Sequence, residues 1–254
     1  MVRLMASIVR LHVEHPLAGG QTVPVEGGQA HYLFGVMRLG SGAEVRLFNG
    51  RDGEWAAEVA EAGRKRGTLT CRHQTAPQGT PPDLWLLFAP VKKDRTDFIV
   101  EKAVEMGVAR LCPVITEYTN AARVRTGRMR AQVIEAAEQC GATWVPEVDE
   151  PVPLDALIAD WDAGRMIMFC DEVAAGSGMT PGVEQFVPAS GETAGPWAVL
   201  IGPEGGFSQK ERDWLDRRLE GTTLRIALGP RILRADTAAV AALTIWQTVL
   251  GDWR

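Results

Sequence analysis

The chain has 254 residues, 46% of them hydrophobic and 23% charged, with a formal net charge of −5. That length and balance are those of a globular protein with one large domain or two modest ones. They exclude a membrane-spanning helix, since no apolar run reaches roughly 18 residues, and they argue against a strongly basic nucleic-acid binder.

The start, Met1–Ile8, soon meets Arg10, His12 and Glu14, which is unlike a signal peptide, so a soluble cytoplasmic protein is expected. Cys71, Cys112, Cys140 and Cys170 lie far apart and form no Cys-x-x-Cys pair, so neither a metal site nor a disulfide framework is expected. Residues 1–83 carry nine Lys/Arg against eight Asp/Glu, and the remainder 18 against 24. Contact with nucleic acid must therefore use local patches. The candidates are Arg64-Lys65-Arg66, Lys92-Lys93 with Arg95, and Arg123, Arg125, Arg128 and Arg130.

In chain order, Val9–Val13 alternates as a half-buried strand does. Gln29–Leu39 has helical spacing. Ala43–Phe48 reads as a strand ending at the tight-turn signal Asn49-Gly50, with Glu54–Val59 as its partner, and Thr68–Arg72 is a further strand. Residues 1–75 thus read as a small barrel-like β module. Residues 76–83, with three prolines and a glycine, form the best linker. After it the pattern changes. Leu84–Ala89, Leu111–Val114, Met166–Cys170 and Trp197–Ile201 are continuous apolar runs suited to strands buried on both faces. They alternate with the helical stretches Arg95–Met106 and Arg128–Cys140, which predicts a mostly parallel sheet in an α/β domain over residues 84–254. Gly176–Gly195 reads as a surface loop.

Two strand–loop–helix units carry the functional reading. In the first, the run to Ile201 enters Gly202-Pro203-Glu204-Gly205-Gly206, and Ser208 with Glu211 forms a capping box that starts a helix. Glycines here leave backbone amides and carbonyls open to a ligand, so a side chain at Gly205 is expected to block that approach. In the second, Leu224–Leu228 leads into Gly229–Asp236, and Asp236 or Thr237 caps a long helix over Ala238–Leu250. Neither loop contains G-x-G-x-x-G or a P-loop, which argues against a nucleotide-binding fold of either common type. Loops at the ends of parallel strands are where α/β sheets place ligands.

The stretches Ile201–Glu211 and Leu228–Ala239 resemble the paired signature of the ribosomal RNA small-subunit methyltransferase E family, of the SPOUT class. Asp97–Val108, Glu135–Cys140 and His31–Leu33 through Val36–Leu39 to Gly42 extend the resemblance over nearly the whole chain in order. It implies an N-terminal PUA-like β-barrel that binds RNA and a C-terminal, trefoil-knotted α/β domain. It also implies a homodimer and N3-methylation of one uridine in the decoding region of 16S rRNA, within the 30S subunit or its precursor. S-adenosyl-L-methionine would be held by Ile201, Gly202, Pro203, Glu204, Gly205 and Gly206 of the first loop. Leu228, Gly229, Ile232, Leu233 and Ala238 would hold it from the second. Alternatives are a SPOUT methyltransferase with another RNA target and a non-catalytic RNA-binding assembly factor. The chain departs from the family pattern at Ala235-Asp236, where Thr-Glu is usual, at Gly141-Ala142-Thr143, where an arginine is frequent, and at Met106, where leucine is usual.

Methylating uridine N3 requires loss of its proton and leaves negative charge on the flanking carbonyls. Arg234 and Arg231 are the candidates to stabilise that charge. Asp236 is a candidate base, although its place at a helix N-terminus favours capping. Arg10, Arg38, Lys92, Lys93 and Arg95 are the candidate RNA contacts.

Overall fold

A computed structural model describes residues 8–120, 124–174, 186 and 194–253. The predicted loop at Gly176–Gly195 and the candidate Arg123 lie almost wholly or wholly outside them. The chain divides into two compact units, Met1–Thr80 with Ala137–Val145, and Pro81–Ala136 with Pro146–Arg254.

The first unit is a five-stranded sheet curled into a half-barrel. Its strands are β1 (Arg10–His12), β2 (Thr22–Glu26), β3 (Glu44–Phe48), β4 (Glu54–Ala62) and β5 (Arg66–Ala76), in the order β1-β3-β4-β5-β2. Val23, Val25, Val45, Leu47, Val59 and Leu69 meet inside it. β2 escaped the sequence reading because Pro24 interrupts it. Proline is tolerated there because β2 is an edge strand, where a missing N–H costs no ladder bond.

The Asn49-Gly50 signal marks a longer connection than a two-residue hairpin, since β3 and β4 pair Phe48 with Glu54. Asn49 Oδ1 accepts the N–H groups of Arg51 and Asp52 at 3.0 and 2.9 Å and so builds the loop itself. The helix expected over Gln29–Leu39 is a short α1 (Gly27–Ala30) followed by a π-helical turn, His31–Val36, in which Met37 N–H reaches Tyr32 O at 2.9 Å. It ends at Arg38, whose φ of 55° is left-handed.

The second unit is built on a seven-stranded parallel sheet. Its strands are β6 (Leu84–Phe88), β7 (Arg110–Ile115), β8 (Glu147–Val148), β9 (Val152–Pro153), β10 (Met166–Cys170), β11 (Trp197–Ile201) and β12 (Thr223–Ile226). The order is β12-β10-β11-β6-β7-β8, with β9 also on β7. The central strands β6, β10 and β11 are almost wholly apolar because helices cover both faces. The helices are α2 (Lys93–Glu105), α3 (Thr126–Cys140), α4 (Leu154–Ala159), α5 (Gln209–Arg218) and α6 (Ala235–Val249).

β12 is an edge strand, yet α6, which follows it, packs on α2 and on the central β11. The connection therefore returns across the carboxyl ends of β10 and β11. Gln247 secures the packing from a fully buried position. Its amide nitrogen donates to Met106 O at 2.6 Å and its oxygen accepts Asp252 N–H at 3.1 Å. Among the described residues no helix is long and apolar enough to cross a membrane.

Candidate functional site

The two loops found in the sequence meet in one pocket over the carboxyl ends of β10 and β11. Ile201, Gly202, Pro203, Glu204 and Gly206 line it from the first loop, and Leu228, Arg231, Ile232, Leu233, Ala235 and Ala238 from the second segment. A third wall, Cys170-Asp171-Glu172 at the end of β10, went unnoticed in the sequence. Its only sequence signal was position, as the end of a strand parallel to β11. Burial pushes the Cys170 thiol well up, so it stays neutral and serves as an apolar surface.

The glycines act differently from the expectation. A Cβ on Gly202 would strike the ring of Phe207, and one on Gly206, where φ is +69°, would strike the Glu172 carboxylate. These two residues are glycine because the turn folds tightly on its own protein neighbours. Gly205 lies outside the pocket wall; a Cβ there would come 3.2 Å from Cβ of Tyr118. Gly229 also lies outside it, at φ +102° with open space around its α-carbon.

The first loop is held at both ends. Ser208 and Glu211 form the predicted capping box, with Ser208 N–H donating to Glu211 at 2.8 Å and Glu211 N–H to Ser208 Oγ at 3.2 Å. From below, Arg212 donates to Asp171 at 3.1 Å and to Glu172, and Glu172 also accepts Phe207 N–H at 3.3 Å. Arg225 lies 3.6 Å from the other Asp171 oxygen.

Arg95 is placed otherwise than predicted. Its guanidinium is 3.5 Å from Glu204 of the first loop and 3.5 Å from Asp236 beside the second, so it bridges the two. The pocket thus has three carboxylates on or near its wall, Asp171, Glu172 and Glu204, and each faces an arginine. Their charge is largely offset.

Asp236 is not the helix cap. The N-cap of α6 is Arg234, without a side-chain cap bond. Asp236 sits in the first turn, with Oδ1 accepting Thr237 N–H at 2.8 Å and Oδ2 facing Arg95. Both oxygens are engaged. Arg231 and Arg234 are exposed, and only Arg231 lines the pocket. Of the family departures, Ala235 is buried in the pocket wall, and Gly141, at φ +87°, provides the left-handed residue that ends α3.

The candidate RNA contacts separate. Arg10 belongs to the frame of the first unit. It donates to the carbonyls of Ala137, Glu138 and Ala142, the last two at 2.9 Å, and pairs with Glu54 at 2.7 Å. A cation on the last carbonyls of a helix is favourable, and these four contacts leave the group committed. Burial alone would raise the Glu54 carboxyl, but hydrogen bonds from Thr75 and Arg10 hold it below the usual carboxylate range. Arg38, Lys92 and Lys93 are exposed. Lys93 pairs with Asp94 and Asp97 at 3.5 and 3.2 Å.

Comparison with known proteins agrees with this geometry. Residues 78–247 match the model of an RNA methyltransferase domain, and residues 25–70 that of an RNA methyltransferase PUA domain. The ribosomal RNA small subunit methyltransferase E of Rickettsia conorii is 26% identical over 235 residues, which is 92% of this chain and 93% of that one. The protein of the same name from Aquifex aeolicus is 30% identical over 171 residues, 65% of this chain and 69% of its own. Among solved structures, the Neisseria gonorrhoeae ribosomal RNA small subunit methyltransferase E, bound to S-adenosyl methionine, superposes with a TM-score of 0.83 at 25% identity, covering 97% of this chain and 100% of that one. A Legionella pneumophila putative methyltransferase, in complex with the same cofactor, gives 0.79 at 26% identity, covering 96% and 99%. With its half-barrel, its parallel sheet and its paired loops, the chain belongs to the ribosomal RNA small subunit methyltransferase E family.

Proposed function

We propose that this protein is an S-adenosylmethionine-dependent methyltransferase that modifies N3 of one uridine in the decoding region of 16S rRNA. It would act in the cytoplasm on the 30S subunit or its precursor. The observation that carries the reading is the convergence of two strand–loop–helix segments on one pocket, with Arg95 bridging them. S-adenosylmethionine supplies an electrophilic methyl group on a sulfonium. The lining suits a ligand of that kind, with aliphatic walls from Ile201, Leu228, Ile232 and Leu233 for a purine and carboxylates already offset by arginines. A naked carboxylate against the sulfonium would stabilise the ground state, which does not help the rate.

The contribution of the protein is then mainly positioning, worth roughly 7–11 kcal/mol at best. Arg231, on the pocket wall, is the residue best placed to stabilise charge on a uracil carbonyl as N3 loses its proton. Arg234 is the reserve candidate. RNA would be gripped by the barrel of residues 1–75, through Arg38, and by Lys92 and Lys93 beside the pocket. We infer a homodimer from the resemblance to the family, in which the site lies near the subunit interface.

Primer extension on 16S rRNA from a strain lacking the protein tests the reaction. N3-methyluridine lacks a free Watson–Crick edge and stops reverse transcriptase, so the stop is expected to vanish. A stop that survives deletion overturns the substrate assignment.

Arg95 provides a sharper test. Arg95→Ala leaves Glu204 and Asp236 without their shared cation and is expected to lower kcat/KM about 10-fold, the low end for a charged hydrogen bond because the pair is partly solvated. Cofactor affinity should fall with it. A phosphate contact would behave differently, reducing the salt dependence of RNA binding by about 0.9 in log–log slope with cofactor affinity unchanged.

A further inference from the structure

Beside the methyl-donor pocket lies a second cleft, of about 370 Å³, lined by Pro90, Val91, Lys92, Tyr118, Asn120 and the Pro203–Gly205 stretch. It shares Pro203 and Glu204 with that pocket, so the two open onto the same stretch of loop. On its other side it shares Pro90, Val91, Lys92 and Asn120 with a groove that continues to Arg125 and Arg128. Tyr118 lies outside both loops.

Tyr118 is 48% exposed, and the turn that carries it is hydrogen-bonded. It sits in a turn in which Thr119 N–H donates to Thr116 O at 3.1 Å, and Thr119 Oγ1 accepts Thr116 N–H at 2.8 Å. Thr116 is buried. Glu117 N–H donates to Glu211 at 2.8 Å, which ties the turn to the capping box of α5. Beneath the tyrosine is Gly205, whose missing side chain leaves room for it. An exposed aromatic ring on a hydrogen-bonded turn, seated on the methyl-donor loop, offers a flat face on which a base can stack. Along the groove, Lys92 and Arg125 make no ion pair among the described residues, whereas Lys93 and Arg128 are both held by Asp97. One aromatic face with uncommitted cations leading away from it matches a single nucleotide strand, whose bases stack and whose phosphates need counter-charge.

We propose that Tyr118 is the platform on which the base to be methylated stacks, with Lys92 and Arg125 holding the flanking phosphates. This rests on the methyltransferase reading above. It adds a substrate-binding residue that the paired loops do not contain. A base stacked there lies in the cleft adjoining the donor pocket, out of its own RNA stack, as enzymes acting on bases require. Stacking would act on the rate and not on cofactor binding, because Tyr118 is no part of the donor pocket wall.

The test uses the full chain with 30S subunits from a strain lacking it, and follows tritium transfer from labelled S-adenosylmethionine. Activity of the unsubstituted protein is the reference; its absence would refute the methyltransferase reading and leave no base to stack. Given that activity, Tyr118→Ala is expected to lower kcat/KM roughly 5- to 150-fold, the range for stacking one base on a ring. Part of the loss should fall in kcat, because the base is the reacting group. Tyr118→Phe and Tyr118→Trp are expected to stay within about 3-fold of the unsubstituted protein, since every aromatic ring offers a stacking face. Cofactor affinity by calorimetry should be unchanged in all three. Activity of Tyr118→Ala within 2-fold of the reference overturns the proposal. So does a Tyr118→Phe loss as large as that of alanine, which would assign the role to the hydroxyl, or a change confined to KM. A shift in sedimentation of Tyr118→Ala would assign the ring to an interface between copies and would equally overturn it.

Discussion

Arg212→Met is expected to destabilise the protein by about 3 kcal/mol, the lower end of the cost of breaking a buried ion pair. Arg212 and Asp171 are almost fully buried, and without the guanidinium Asp171 keeps the Val173 N–H, at 3.2 Å, and Arg225, at 3.6 Å. A residual partner softens the loss; burial of a carboxylate sustains it. For a chain of this size that cost corresponds to a fall in Tm of roughly 6–12 °C. Scanning calorimetry measures it directly. Cofactor affinity should fall as well, because Glu172 loses the arginine that orients it toward Phe207 N–H in the donor loop. Asp171→Asn in the same background is expected to recover part of the loss, since it removes the uncompensated charge. A change under about 0.5 kcal/mol, the range of neutral surface substitutions, would mean the network is not what holds the loop.

Gly206→Val is expected to abolish measurable S-adenosylmethionine binding. Two costs combine at this position. A left-handed backbone costs an L-residue roughly 1–2 kcal/mol, and forcing a side chain into occupied space adds about 1–3 kcal/mol. The obstacle is the Glu172 carboxylate, itself held by Arg212, so it has little freedom to retreat. Escape requires the loop to change shape, and the loop is the pocket wall. Gly229→Ala is the matched comparison. It carries a left-handed φ of +102° but meets nothing, so only the backbone cost applies. Isothermal calorimetry should show a loss of roughly 5- to 30-fold for Gly229→Ala at most, and no detectable heat for Gly206→Val. Equal losses in the two variants would show that backbone strain, and not the contact with Glu172, governs the pocket.

Much of the architecture was legible in the residues because its signals are local. The apolar runs of β6, β10 and β11 read as strands buried on both faces, and the Ser208–Glu211 spacing gave the start of α5. Where a local signal was broken by a position in the sheet, it misled. Pro24 hid β2, and Asn49-Gly50 suggested a turn shorter than the loop that forms. The grouping of Ala137–Val145 with the N-terminal unit has no sequence signal, since it depends on Arg10 meeting carbonyls more than 120 residues away.

The two loops fared in the same way. Their sequence alone established that two glycine-rich connections follow parallel strands, and their resemblance to the paired signature pointed to a methyl-donor site. Which atoms each glycine spares was decided only by the fold. Gly206 clears Glu172, Gly202 clears Phe207, and Gly205 makes room for Tyr118. Arg95 reads in the sequence as part of a basic patch with Lys92 and Lys93, but α2 delivers it between Glu204 and Asp236. The physical reason is common to all of these. Backbone conformation and burial pattern are set by neighbours in the chain, whereas an ion pair or a steric contact is set by whatever the sheet order brings alongside. In a sheet whose chain returns from an edge strand to the centre, those partners come from distant parts of the sequence.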